Sequence, residues 1–60
     1  MKVLYADTWN KLTLKMIGYY HDHCYHYYSG KTDEVPIKYK DLITEDKTFC
    51  FIYKEDTPNG

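Results

Sequence analysis

Residues 12–18, LTLKMIG, set Leu12, Leu14 and Met16 against Thr13, Lys15 and Ile17, and this two-residue period predicts a half-buried strand with the first three side chains inward. Gly18 interrupts the pattern, as a glycine does at a bulge or bend. Upstream, KVLYADT over 2–8 places Val3, Tyr5 and Asp7 on one face and Lys2, Leu4, Ala6 and Thr8 on the other, which suits another strand. Trp9-Asn10-Lys11 between the two reads as a turn, because asparagine tolerates the left-handed backbone of tight hairpins.

Downstream, Gly18–Tyr28 is GYYHDHCYHYY, with five tyrosines, all three histidines and a cysteine in eleven positions. It is too polar for an ordinary core strand and too aromatic for an ordinary loop, since each phenol pairs a large apolar ring with a hydroxyl that needs a partner when buried. A turn is expected near His21-Asp22-His23, a third strand over Cys24–Tyr28 and a stop at Ser29-Gly30-Lys31. After Pro36 the spacing of Ile37, Tyr39, Leu42 and Ile43 shifts from two to three, which predicts a short helical piece near Lys38–Thr44. KTFCFIYK over 47–54 is apolar on both faces and predicts a strand at the centre of the sheet, or an edge covered by another subunit.

The expected fold is therefore β-rich α+β: a small antiparallel sheet of about four strands, with one short helix or helical turn between the last two. Sixty residues make one domain, 1–60, with a frayed tail at 55–60. A chain this short buries only about 60% of its unfolded surface, so help from a partner subunit, a metal or a disulfide is expected, and a homo-oligomer is the expected form.

The net charge of −1 gives no broad attraction for nucleic acid or membranes, and no segment approaches the length of a membrane span. All eight basic residues are lysine, so the bidentate guanidinium grip on phosphates and carboxylates is missing. Asp33, Glu34, Asp41, Glu45, Asp46, Glu55 and Asp56 are interleaved with Lys31, Lys38, Lys40, Lys47 and Lys54, the pattern of a solvated mixed surface. No secretory signal follows Met1, so Cys24 and Cys50 are expected to be reduced thiols.

His21, His23, Cys24 and His26 carry donors that zinc prefers. On an extended strand the first two share one face and the last two the other, and the spacing matches no standard zinc module; no metal or cofactor is assigned. A nucleophile built from Cys24, a neighbouring histidine and Asp22 would need geometry that sequence-adjacent positions seldom give, and so small a chain has little room for a water-excluding site. The expectation is a protein that is not an enzyme.

The tyrosines support binding more directly. Aromatic faces stack on bases at about 1–3 kcal/mol per base without arginine. Trp9, Tyr19, Tyr25 and Tyr27 are the expected stacking groups, with Lys15, His21, His23 and His26 as the polar ones. The same residues could instead cover a homo-oligomer seam, with Tyr20, Tyr28, Phe49 and Phe51 filling the core.

In its small size, its lack of arginine, its tyrosine content and its mixed acids and lysines, the chain resembles the small proteins that bacteriophages of low-GC hosts use against host enzymes or host immunity. The resemblance implies a stoichiometric binder in the host cytoplasm. As an anti-defence protein it would sequester a nucleotide-derived signal, such as a cyclic nucleotide or a cyclic ADP-ribose species, at an oligomer-interface pocket. The alternative is an inhibitor that docks the same aromatic surface, or an edge strand, onto a host enzyme.

Overall fold

The computed structural model describes residues 1–21 and 24–55, with the side chains of residues 19–21, 24 and 55 left undescribed. Its elements are β1 (Lys2–Ala6), α1 (Trp9–His21), β2 (Cys24–Lys31), two 3-10 segments (Thr32–Glu34 and Ile37–Leu42) and β3 (Phe49–Glu55).

The expected strand at 12–17 is helix. Thr8 starts it: its Oγ1 accepts a hydrogen bond from the Lys11 N–H at 3.2 Å, which satisfies one of the free donors of the first turn. The Thr8 carbonyl takes the Leu12 N–H at 3.1 Å. Trp9-Asn10-Lys11 is thus the first helical turn rather than a hairpin turn, and Gly18 lies inside α1 rather than at a bulge. Leu12 and Met16, four apart, share a face in a helix as they do in a strand, and both are buried. Leu14 separates the two geometries: it would be inward in a strand, and it is 71% exposed.

With 12–17 helical, the described residues hold three strands rather than four, in the order β1-β3-β2. Both outer strands run antiparallel to β3. β1 and β2 are therefore parallel to each other, joined by α1 and split by β3, an arrangement known as a split βαβ unit. The α-helix lies between the first two strands, and only the 3-10 turns lie between the last two.

β3 is the central strand, as its two apolar faces predict. Phe51 and Tyr53 pack with Leu12, Met16 and Ala6 under the helix, with Leu4 and Phe49 at the margin. Cys50 and Ile52 pack on the opposite face with Val35, bordered by Val3, Tyr5, Tyr28, Tyr39, Leu42 and Ile43. The 32–48 connection is a strap over this second face, held at its base by the Thr32 N–H to Thr48 carbonyl bond of 2.9 Å.

β2 runs through Ser29-Gly30-Lys31, where a stop was expected. Gly30 keeps the ladder going with φ 152°, a conformation that disfavours side chains, opposite Cys50. The register shift falls between His26 and Tyr28, not at Gly18. Because of it, His26 pairs with Tyr53 on the helix side, whereas Tyr28 pairs with Ile52 on the strap side.

The turn expected at 21–23 and the tail at 55–60 are only partly covered: His21 ends α1, Glu55 ends β3, and 22, 23 and 56–60 lie outside the described residues. Cys50 is a free, buried thiol. Cys24 pairs with Glu55, five residues along β3 from Cys50, or about 17 Å at strand rise. That is far beyond the reach of a disulfide.

Candidate functional site: the aromatic face of β2

β2 lies at the margin of the sheet, so its bulge decides which rings face outward. Tyr25, opposite Lys54, belongs to the strap side and is 54% exposed; Tyr27, the extra residue of the bulge, is 39% exposed. Tyr27 meets Tyr39 from the strap with ring centroids 6.1 Å apart, tilted by 56°. The Lys38 ammonium sits 5.1 Å from the Tyr39 centroid, a cation over a ring face. Tyr39 is held there by its N–H bond to the Pro36 carbonyl at 2.9 Å, which closes the 3-10 turn. Ile37, exposed, begins the same turn.

Tyr28 behaves differently from its neighbours. It is half-buried and donates its hydroxyl to the Lys31 carbonyl at 2.7 Å, across the space left by the missing Cβ of Gly30. Burial, followed by the nearby Cys50, Glu34 and Asp33, raises its pKa, so the phenol remains a donor at neutral pH. It is a structural tyrosine that anchors the end of the strand carrying the exposed pair.

The eight expected binding residues do not converge. Tyr25 and Tyr27 share the strap side of β2. His26 is on the opposite side, edge-on to Phe51 at 5.1 Å and bonded through Nε2 to Ser29 Oγ at 3.0 Å. Trp9 starts α1 and leans on Phe49, with centroids 5.9 Å apart. Lys15, farther along α1, donates to the Tyr5 carbonyl on β1 at 2.8 Å. Tyr19 and His21 belong to the last turns of α1, with side chains outside the description, and His23 lies outside the described residues. Helix formation at 12–17 causes this dispersal, because it moves Trp9 and Lys15 to the face opposite the tyrosines.

Among the described residues, grooves lie at two places on the surface. One, of about 460 Å³, follows β1 and is lined by Val3, Tyr5, Asp7, Lys11, Lys15 and Lys47 among others. The other, of about 740 Å³, lies between Lys31–Asp33 and Ile43–Thr48. Neither is lined by Trp9, Tyr25, His26 or Tyr27. Among the described residues no three His, Cys, Asp or Glu side chains gather as metal donors. None of the described helices is long and apolar enough to cross a membrane.

Sequence reasoning missed Tyr39 and Lys38 as members of the aromatic face. The change of spacing after Pro36 gave the turn, but nothing local to it indicates that the turn folds back over β2. Comparison with protein-family models, with curated proteins and with solved structures gives no match.

Proposed function

We propose that this chain is a non-enzymatic, stoichiometric binder of the phage anti-defence or host-takeover type, which docks on a host protein through the aromatic face and outer edge of β2. The observation that carries this reading is the exposed Tyr25 and Tyr27 pair beside a sheet edge. Large, rigid aromatic side chains with a polar tip are the usual anchors of protein interfaces. An edge strand adds main-chain hydrogen bonds to an incoming strand. Of the two edges, β1 has its Tyr5 carbonyl covered by the Lys15 ammonium, a common way of blunting an edge. Among the described residues no strand lies outside β2.

The test is capture from a lysate of a low-GC bacterial host with the tagged chain and with a Tyr25→Ser, Tyr27→Ser double variant. One host protein should be retained at near-equal stoichiometry by the native chain and lost with the variant. Equal retention by both, or none by either, overturns the reading.

Sequestration of a nucleotide-derived signal is the second reading, favoured by the exposure of Tyr25 and Tyr27 and by the Lys38 ammonium over Tyr39, the ring that meets Tyr27, suited to a phosphate. It calls for the strips of two copies to enclose the ligand, that is, for a homo-oligomer in the host cytoplasm. Titration calorimetry with cyclic dinucleotides and cyclic ADP-ribose species decides it: tight binding supports it, and no heat with any of them rejects it.

A further inference from the structure

α1 has a second apolar stripe, away from the buried one and exposed. Leu14, Ile17 and Gly18 fall on the side of the helix opposite Leu12 and Met16, and all three are exposed. Glycine within a helix is unfavourable relative to alanine, so it needs a reason. Among the described residues nothing supplies one: a Cβ built on Gly18 meets none of their atoms within 4 Å. A missing side chain beside two exposed aliphatic ones lets another helix approach closely.

Charge says what kind of helix. α1 contains Lys11 and Lys15 and no acidic residue. Both lysines lie on one flank of the stripe, and both line the β1 groove together with Lys47. Among the described residues no carboxylate lies within ion-pair distance of Lys11 or Lys15, although Asp7 and Glu45 line the same groove; Asp7 is paired with Lys47 at 3.6 Å. Lys11, in the first turn of the helix, also opposes its dipole, which an incoming anion would relieve. The helix of a second copy carries no acidic residue and does not provide that anion. Antiparallel two-fold packing sets Lys11 and Lys15 against their own counterparts, and parallel packing sets them against Thr13 on the other flank.

We infer that the outer face of α1 is a docking surface for an acidic amphipathic helix of a partner protein, whose apolar stripe packs on Leu14 and Ile17, whose backbone approaches at Gly18 and whose carboxylates meet Lys11 and Lys15. This surface is independent of the aromatic face of β2, which lies across the sheet.

The test titrates the full chain with a stapled helical peptide bearing leucines on one stripe and glutamates on its flanks, beside a lysine-for-glutamate version. The glutamate peptide should bind saturably, with affinity falling as salt rises. A Lys11→Glu, Lys15→Glu double variant and, separately, Ile17→Glu should each weaken binding about tenfold or more. Gly18→Ala should raise the melting temperature by about 4–8 °C and yet weaken binding, a combination that a merely structural glycine would not give. Circular dichroism confirms that each variant is folded. A Tyr25→Ser, Tyr27→Ser variant should bind the peptide normally, which keeps the outcome separate from that of the β2 face. The inference is overturned by equal binding of the lysine peptide, by Gly18→Ala binding at native strength, by adsorption to phosphatidylglycerol vesicles in place of the peptide, or by self-association that Leu14→Glu abolishes.

Discussion

The Tyr5 hydroxyl accepts the Thr44 backbone N–H at 2.9 Å, joining two residues 39 positions apart in the chain. Through that bond, with the two hydroxyls 3.5 Å apart beside it, β1 holds the strap a few residues before its end, and the Thr32 to Thr48 bond closes its base. The strap in turn positions Tyr39 against Tyr27, so the edge strand farthest from the aromatic face helps to set its geometry. Tyr5→Phe removes the acceptor and keeps the ring. It should cost about 0.5–1.5 kcal/mol in urea denaturation, with backbone amide shifts in 39–44 larger than those in α1.

Leu12 and Leu14 give a paired test of the helix. Leu12 has no exposed surface, and truncation to alanine should cost about 2–5 kcal/mol, enough to leave so small a domain largely unfolded. Leu14→Ala should change stability by no more than about 0.5 kcal/mol. Were residues 12–17 a strand, the two substitutions would be equally damaging; thermal melts followed by circular dichroism distinguish the cases.

These two leucines also show how much of the fold was legible in the sequence. A four-residue separation between buried positions satisfies both a period of two and a period of 3.6, so Leu12 and Met16 are silent on the choice. The exposed Leu14 then mimicked a core position. The deciding signal was Thr8, whose hydroxyl caps α1, and it was absorbed into the preceding strand pattern. β3 was readable as a strand because Phe49–Tyr53 is apolar on both sides, and of the two placements that pattern allows, the centre of the sheet or an edge covered by another subunit, the chain takes the first. At the candidate site, Tyr25 and Tyr27 were legible as outward rings, whereas the dispersal of Trp9, Lys15 and His26 follows from the misread helix and from the bulge at Tyr27.

Gly30→Ala should be destabilising although the residue is not in the core. Its φ of 152° suits glycine, and an added Cβ would lie 3.0 Å from the Tyr28 hydroxyl, in the path of that group's bond to Lys31. Strain of this kind costs about 1–3 kcal/mol. Tyr28→Phe, Gly30→Ala should cost less than the sum of the two single changes, because they share one contact; a double-mutant cycle in urea measures this.

Stability should fall at high pH. Burial pushes the Cys50 thiol above its ordinary 9.0 and the Tyr28 phenol above its ordinary 10.0. The folded chain therefore keeps protons over a range in which the unfolded chain has released them, so unfolding becomes more favourable as pH rises through that range. The contribution of Cys50 is complete below about pH 9 and is lost as pH climbs toward its raised folded value. Urea midpoints from about pH 8 upward should decline, and Cys50→Ala should remove the earlier part of the decline relative to its own value at about pH 8.

The strand that comes third in the chain occupies the middle of the sheet. Until residues 49–55 arrive, β1 and β2 have no ladder to join, since as parallel neighbours one place apart they cannot bond to each other. A nascent polypeptide emerging from the ribosome would thus carry a helix and two orphan strands, then commit to its tertiary structure in one late step when β3 inserts. Any truncation that removes Phe51 and Ile52 should abolish the whole architecture rather than trim it, because no part of the sheet is complete without them.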